Sequence, residues 1–159
     1  MVEINLVWNP IMKRIGILFT FCILSITVCL AQLPHTFTQY TSKDGLAQKT
    51  IQGIMQDHKG IMWFATWDGL YKFDGYTFKN YKAQPGDSIG LSNNRLDNIK
   101  EDKYGYIWVR SYDHQVYRFN PRTEQFQAIP YENYLSQDIY VLSCGDVWVV
   151  TALNELIRI

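Results

Sequence analysis

The stretch Asp57-His58-Lys59-Gly60-Ile61-Met62-Trp63-Phe64-Ala65-Thr66-Trp67-Asp68-Gly69-Leu70-Tyr71-Lys72-Phe73-Asp74 reads as two β-turns and two short strands. Its first half returns 45 residues later as Asp102-Lys103-Tyr104-Gly105-Tyr106-Ile107-Trp108-Val109-Arg110-Ser111. A degraded third copy, Cys144-Gly145-Asp146-Val147-Trp148-Val149-Val150-Thr151, follows 40 residues after that. Self-similarity at a period of roughly 40–45 residues marks a propeller or a related repeat array, whose units bury their apolar faces only against their neighbours.

Working outward, Asp57-x-x-Gly60 and Asp102-x-x-Gly105 each close a hairpin. Asp at the first turn position accepts bonds from the following backbone N–H groups, and Gly takes the positive φ at the exit. A calcium role for such an Asp would need a second carboxylate at ligand spacing, and none is present. The second strand puts Ile61, Trp63 and Ala65 on one face and Met62, Phe64 and Thr66 on the other. Both faces are largely apolar, as in a sheet packed between two others. Trp67-Asp68-Gly69 turns into the strand Leu70-Tyr71-Lys72-Phe73, with counterparts Val116-Tyr117-Arg118-Phe119 and Leu156-Ile157-Arg158-Ile159. Asp74-Gly75 and Asn120-Pro121 lead to fourth strands at Phe78-Lys79-Asn80-Tyr81 and Phe126-Gln127-Ala128-Ile129. Upstream, Ile51 matches Leu96 and Ile54 matches Ile99.

The expected fold is therefore all-β, a partial β-propeller of four-stranded antiparallel blades with about two and three-quarter blades present. Blade one spans 46–81, blade two 91–129, and an incomplete blade three 135–159. Phe37-Thr38-Gln39-Tyr40 reads as an orphan outer strand of the ring-closing blade, at 37–40. Repeat arrays need about three units and capped ends, so residues 32–159 alone are expected to be poorly folded or aggregating and to bind no oligosaccharide appreciably.

Composition narrows the function. Fifteen basic residues balance fifteen acidic ones, which gives no nucleic-acid footprint and no polybasic membrane patch. Of three cysteines, Cys22 and Cys29 lie in the apolar N-terminal segment, leaving Cys144 without a disulfide partner. Lys13 and Arg14 precede an apolar run from Ile15 to Leu30 that ends before Ala31 and Gln32. This describes a signal peptide over residues 1–31, starting at Met12 and cut after Ala31. The run is shorter than the roughly 20 residues a spanning helix needs. The remainder is expected to be exported, on the periplasmic side.

The pattern Leu-x4-[Ile/Leu]-x2-Ile-x2-Asp-x2-Gly-x-[Met/Ile]-Trp, a turn, and an apolar-Tyr-[Lys/Arg]-Phe strand resembles the two-component regulator propeller repeat. The resemblance covers roughly residues 37–159 and is closest in blade one. Blade two departs by an extra residue at Asp113-His114-Gln115, and blade three lacks the Asp before its hairpin turn. The resemblance implies the extracytoplasmic sensor region of a hybrid two-component histidine kinase. It implies an oligosaccharide or other small-molecule ligand, further propeller blades outside this chain, and a homodimer as the complete receptor. It implies no cofactor and no catalysis by this segment, the kinase modules lying elsewhere.

Candidate residues follow from the repeat. Asp57, Gly60, Trp63, Asp102, Gly105, Trp108, Gly145 and Trp148 occupy repeated positions and read as structural, with the tryptophans as inter-blade core. The turns between second and third strands, which gather at one mouth of a propeller, offer Trp67, Asp68, Tyr112, Asp113 and His114. A flat aromatic beside a carboxylate suits stacking on a sugar face and bonding its hydroxyls. The histidines His35, His58 and His114 lack metal-ligand spacing, so no metal site is expected. Two other readings are an exported propeller enzyme of streptogramin-lyase type, for which His114 with Asp68 would be the acid/base pair, and a protein-binding scaffold.

Overall fold

The structure, a computed structural model, describes residues 14–21, 36–47, 50–84, 86, 90–130 and 135–159. Two compact units are distinguished, residues 1–39 and 40–159. In the first, residues 14–21 are helical. No helix among the described residues is long and apolar enough to cross a membrane. The rest of the expected signal segment, including the cut after Ala31, lies outside the described residues.

The described residues of the second unit form eleven strands in three antiparallel sheets. Strands β1 (Ile51–Gln56), β2 (Met62–Thr66), β3 (Gly69–Phe73) and β4 (Phe78–Tyr81) form the first sheet in chain order. The second sheet comprises β5 (Leu96–Glu101), β6 (Ile107–Ser111), β7 (Val116–Asn120) and β8 (Gln125–Ala128). The third comprises β9 (Ser136–Val141), β10 (Val147–Thr151) and β11 (Leu156–Arg158). Each sheet is a meander, as expected where turns of two to five residues join neighbouring strands. Residues 37–40, expected as an outer strand, are assigned to no strand, and none of the described strands pairs with them. A strand exists only through its ladder partner, and Phe37 is left 92% exposed.

Blades succeed one another through their inner strands: β5 lies against β1 and β2, and β9 against β5 and β6. The first inner strand of every blade carries a register shift near its start, between Ile51 and Gly53, between Leu96 and Asn98, and opposite Val150 and Thr151. Repetition of the bulge shows it to be a built feature of the unit. At Gly53 a Cβ would lie 2.9 Å from Ile99 Cγ2 on the next blade, so the glycine lets the two inner strands approach.

The core lies between blades. Trp63, Ala65, Leu70 and Tyr81 of blade one pack with Leu96, Ile99, Ile107, Val109, Tyr117 and Phe119 of blade two. Trp108 and Val116 of blade two pack in turn with Ile139, Val147 and Val149 of blade three. Trp63 meets Phe119 edge-on at 5.6 Å and Tyr81 in a stacked pair at 6.2 Å. Both faces of a middle blade are thus used, which is why its second strand is apolar on both sides.

The hairpin turns explain the Asp-x-x-Gly repeat. Gly60, Gly105 and Gly145 have φ of 85°, 82° and 98°, and each donates its N–H back to the turn's first residue, Asp57, Asp102 or Leu142. The carboxylate of Asp57 also caps Lys59 N and Ile61 N through one oxygen, at 2.9 Å each. Asp102 repeats this with Tyr104 N and Tyr106 N.

Candidate functional site

The turns between second and third strands of successive blades are fixed by buried hydroxyls. Thr66 ends β2 fully buried, donates to Gly69 O at 2.9 Å and accepts from Asp68 N at 3.0 Å. Ser111 takes the same place in blade two, donating to Gln115 O at 3.1 Å, and Thr151 in blade three accepts from Glu155 N at 3.1 Å. The two-residue turn of blade one uses Gly69 at φ 105°. In the longer turns of blades two and three, His114 at φ 69° and Asn154 at φ 60° adopt the left-handed conformation instead.

Backbone bonds tie these turns to the segments entering the blades. Tyr112 N donates to Arg95 O at 2.7 Å and Ala152 N to Leu135 O at 2.8 Å. Gly69 N reaches across to Asn94 O of blade two, also at 2.8 Å. Trp67 of blade one and Tyr112 of blade two are thereby brought within reach of one residue, Arg95. Its guanidinium carbon lies 5.3 Å from the Trp67 ring centroid and 5.9 Å from that of Tyr112, both within cation–π range. Both rings remain open to solvent, 43% and 61% exposed.

The other three candidates are engaged within the fold. Asp68 pairs with Lys82 Nζ at 2.7 Å, which raises the lysine's pKa, and accepts from Tyr71 OH at 3.3 Å. Asp113 accepts from Ser111 Oγ and, at 3.1 Å, from Ser92 Oγ. His114 Nδ1 meets Ser136 O at 2.8 Å, and its own carbonyl accepts from Ser136 Oγ. The same Ser136 O takes Arg110 Nη1 at 2.7 Å, while Arg110 Nε and Nη2 clamp Asp97 at 2.9 and 2.5 Å. Burial raises the pKa of Asp97, the Arg110 charge opposing it. His114 therefore staples blade two to blade three, and Asp68 anchors the segment after β4. As an acid/base pair they are turned to different partners.

Of the five candidates, the fold brings Trp67 and Tyr112 together. Arg95 was not singled out in the sequence because its repeat counterpart is Thr50, so no column advertises it. The buried hydroxyls of Thr66, Ser111 and Thr151 did form a column, and that signal could have been read. A groove of about 400 Å3 runs along the outer strands between Tyr81, Lys82, Glu124 and Phe126, and reaches the blade-one turn through Lys82, which pairs with Asp68. Among the described residues, no three of His, Cys, Asp or Glu are placed to hold a metal ion.

Trp63 and Trp108 are 1% and 4% exposed, and each donates its indole N–H to the Asp of its own turn. Trp148 Nε1 is buried without an acceptor among the described residues, since Leu142 stands where Asp57 and Asp102 stand in the other blades.

Comparison with known proteins places this architecture. The family described as "Two component regulator propeller" matches residues 45–68. Over 83 residues the chain is 40% identical to histidine kinase P4 of Formosa agariphila, a match covering 51% of this chain and 6% of that protein. Among solved structures, the extracellular domain of the B. thetaiotaomicron one component system BT4673 superposes with a TM-score of 0.53 at 27% identity, over 69% of this chain and 16% of that one. The extracellular domain of the hybrid two component system BT3049 from the same organism gives 0.56 at 24% identity, over 80% and 17%. Virginiamycin B lyase from Staphylococcus aureus gives 0.54 at 15% identity, over 80% and 46%, a likeness of fold alone. The chain thus spans a small part of the relatives it matches. With its antiparallel blades and the family match at residues 45–68, the chain resembles the two-component regulator propeller repeat family.

Proposed function

We propose that the chain contributes blades to an exported, ligand-sensing propeller that signals across a membrane to a histidine kinase, with an oligosaccharide as ligand. The segment itself carries no catalysis in this reading, and further blades complete the propeller. The observation that carries it is the pair of exposed rings, Trp67 and Tyr112, held 5.3 and 5.9 Å from the Arg95 guanidinium at the junction of two blades. Such rings are rigid apolar platforms for a sugar face. Ligand in that position contacts two blades at once, so it favours one blade arrangement over another, which is what a sensor requires.

The complete propeller, these blades together with those that close the ring, displayed to an array of neutral and acidic oligosaccharides tests this. Binding should be seen, and Trp67→Ala and Tyr112→Ala should each weaken it about tenfold or more while leaving the thermal transition in place. An array on which nothing binds, or binding indifferent to both substitutions, removes the reading.

A further inference from the structure

We infer that the ligand carries an anionic group, a carboxylate or sulfate, and that Arg95 is the residue that binds it; this rests on the oligosaccharide reading above. Guanidinium faces are apolar and weakly hydrated, whereas the N–H donors point outward in the plane as a fork that matches two oxygens of a carboxylate or sulfate. With Trp67 and Tyr112 both in cation–π range, Arg95 has its position set by the rings. Its backbone is held too: Arg95 N donates to Asn93 Oδ1 at 2.9 Å and Arg95 O accepts from Tyr112 N.

Among the described residues, several charged groups at this end of the blades are engaged internally. Lys82 faces Asp68 at 2.7 Å, Arg110 is clamped on Asp97, and the two oxygens of Asp113 receive hydroxyls from Ser92 and Ser111. No such partner holds the Arg95 guanidinium among the described contacts, and the residue is exposed. An arginine needed only as glue between blades would be placed as Arg110 is, with both edges bonded to a carboxylate and a carbonyl. Arg95 instead offers one positive charge beside two exposed aromatic rings, which fits a flat ring bearing a negative substituent.

The test is an array in which every acidic oligosaccharide, uronate or sulfated, is printed beside its neutral counterpart, probed with the complete propeller that these blades belong to. Glycans bound should come from the acidic half. Arg95→Gln should weaken that binding roughly 10- to 100-fold, the effect of losing a charged hydrogen-bond partner, with Arg95→Lys intermediate. Raising the salt from 50 to 500 mM should weaken the wild type far more than Arg95→Gln. Neutral glycans bound as well as their acidic counterparts would overturn the anionic assignment but keep the oligosaccharide reading. An empty array would overturn both. If Arg95→Gln melts at the wild-type temperature yet binds acidic glycans unchanged, Arg95 is not the anion-binding residue.

Discussion

One carboxylate oxygen of Asp57 accepts the indole N–H of Trp63 at 2.9 Å while the other caps the backbone of its own hairpin. Asp102 and Trp108 reproduce the arrangement at 2.8 Å. The repeat signature Asp-x-x-Gly-x-x-Trp is therefore one device: the turn that reverses the chain also satisfies the polar atom of the residue that fills the inter-blade core. Asp57→Ala should cost about 3 kcal/mol, because it leaves a buried indole N–H and the turn amides unpaired. Asp74→Ala, in an exposed turn, should cost much less. Comparable shifts in denaturant midpoint for the two would show that the indole bond contributes nothing.

Blade three supplies the reverse experiment. Leu142 occupies the Asp position and is 46% exposed, while Trp148 Nε1 lies buried without an acceptor. Leu142→Asp should restore the missing bond and stabilise the protein by about 1 kcal/mol, despite the neighbouring Asp146 carboxylate, which pairs with Arg158 at 3.0 Å. The readout is slowed hydrogen exchange at the Trp148 indole with a rise in melting temperature. Faster exchange would mean that the third turn cannot adopt the geometry of the first two.

The two kinds of tryptophan should also separate. Trp63 is 1% exposed in the core and Trp67 is 43% exposed in a turn. Trp63→Ala removes an indole from a packed interior and should cost about 3–5 kcal/mol. Trp67→Ala should cost under about 1 kcal/mol and act on ligand binding instead. Denaturation of both variants beside wild type decides this, and losses of equal size would contradict the assignment of faces.

Alkaline pH probes the outer edge of the blade junction. Tyr81 donates its hydroxyl to Glu124 at 2.9 Å, and Lys79 Nζ reaches the other Glu124 oxygen at 2.5 Å. Burial, followed by the hydrogen bond to Glu124 and its charge, raises the Tyr81 pKa well above its ordinary value near 10. The folded phenol holds its proton where the unfolded one has lost it, so stability is full below about pH 10 and falls as the pH rises further. Glu124 is shifted downward by its bonds to Lys79 and Tyr81, so its contribution is present at neutral pH and lost on acidification below the carboxylate range. Tyr81→Phe should lower stability at pH 7 by about 1 kcal/mol and flatten the decline above pH 10. Melting curves between pH 7 and 11.5 that stay parallel for the two proteins would refute the coupling.

What was legible in the sequence was whatever repeats. Columns of Asp, Gly and Trp gave the blades, and strand alternation gave both buried faces, because each unit meets the same neighbours. The polar partners were not legible. Asp68 and His114 look like ligand groups in a turn, yet Lys82 and Ser136 engage them from segments 14 and 22 residues away, a pairing that no local pattern records. Arg95 was hidden for the opposite reason: it is singular, and only the closing of blade two on blade one sets it beside both Trp67 and Tyr112.

Gly69 marks the closest approach in the candidate site. Its φ of 105° disfavours any L side chain, and a Cβ there would stand 2.3 Å from Tyr81 O and 2.8 Å from Asn80 Oδ1. The carbonyl belongs to the last residue of β4, whose pairing with Leu70 holds the outer strand in place. Gly75, at φ 98° in the next turn, has no atom within 4 Å of the same position. Gly75→Ala therefore tests backbone strain alone and should cost about 1–2 kcal/mol. Gly69→Ala adds displacement of β4 and should cost about 3 kcal/mol or more. It should also disturb the Asp68–Lys82 pair and, through Trp67, the platform beside Arg95. The two variants are compared by denaturant midpoint and by glycan binding. If Gly69→Ala proves no worse than Gly75→Ala in both, β4 yields at Tyr81 and the turn is not pinned as the structure has it.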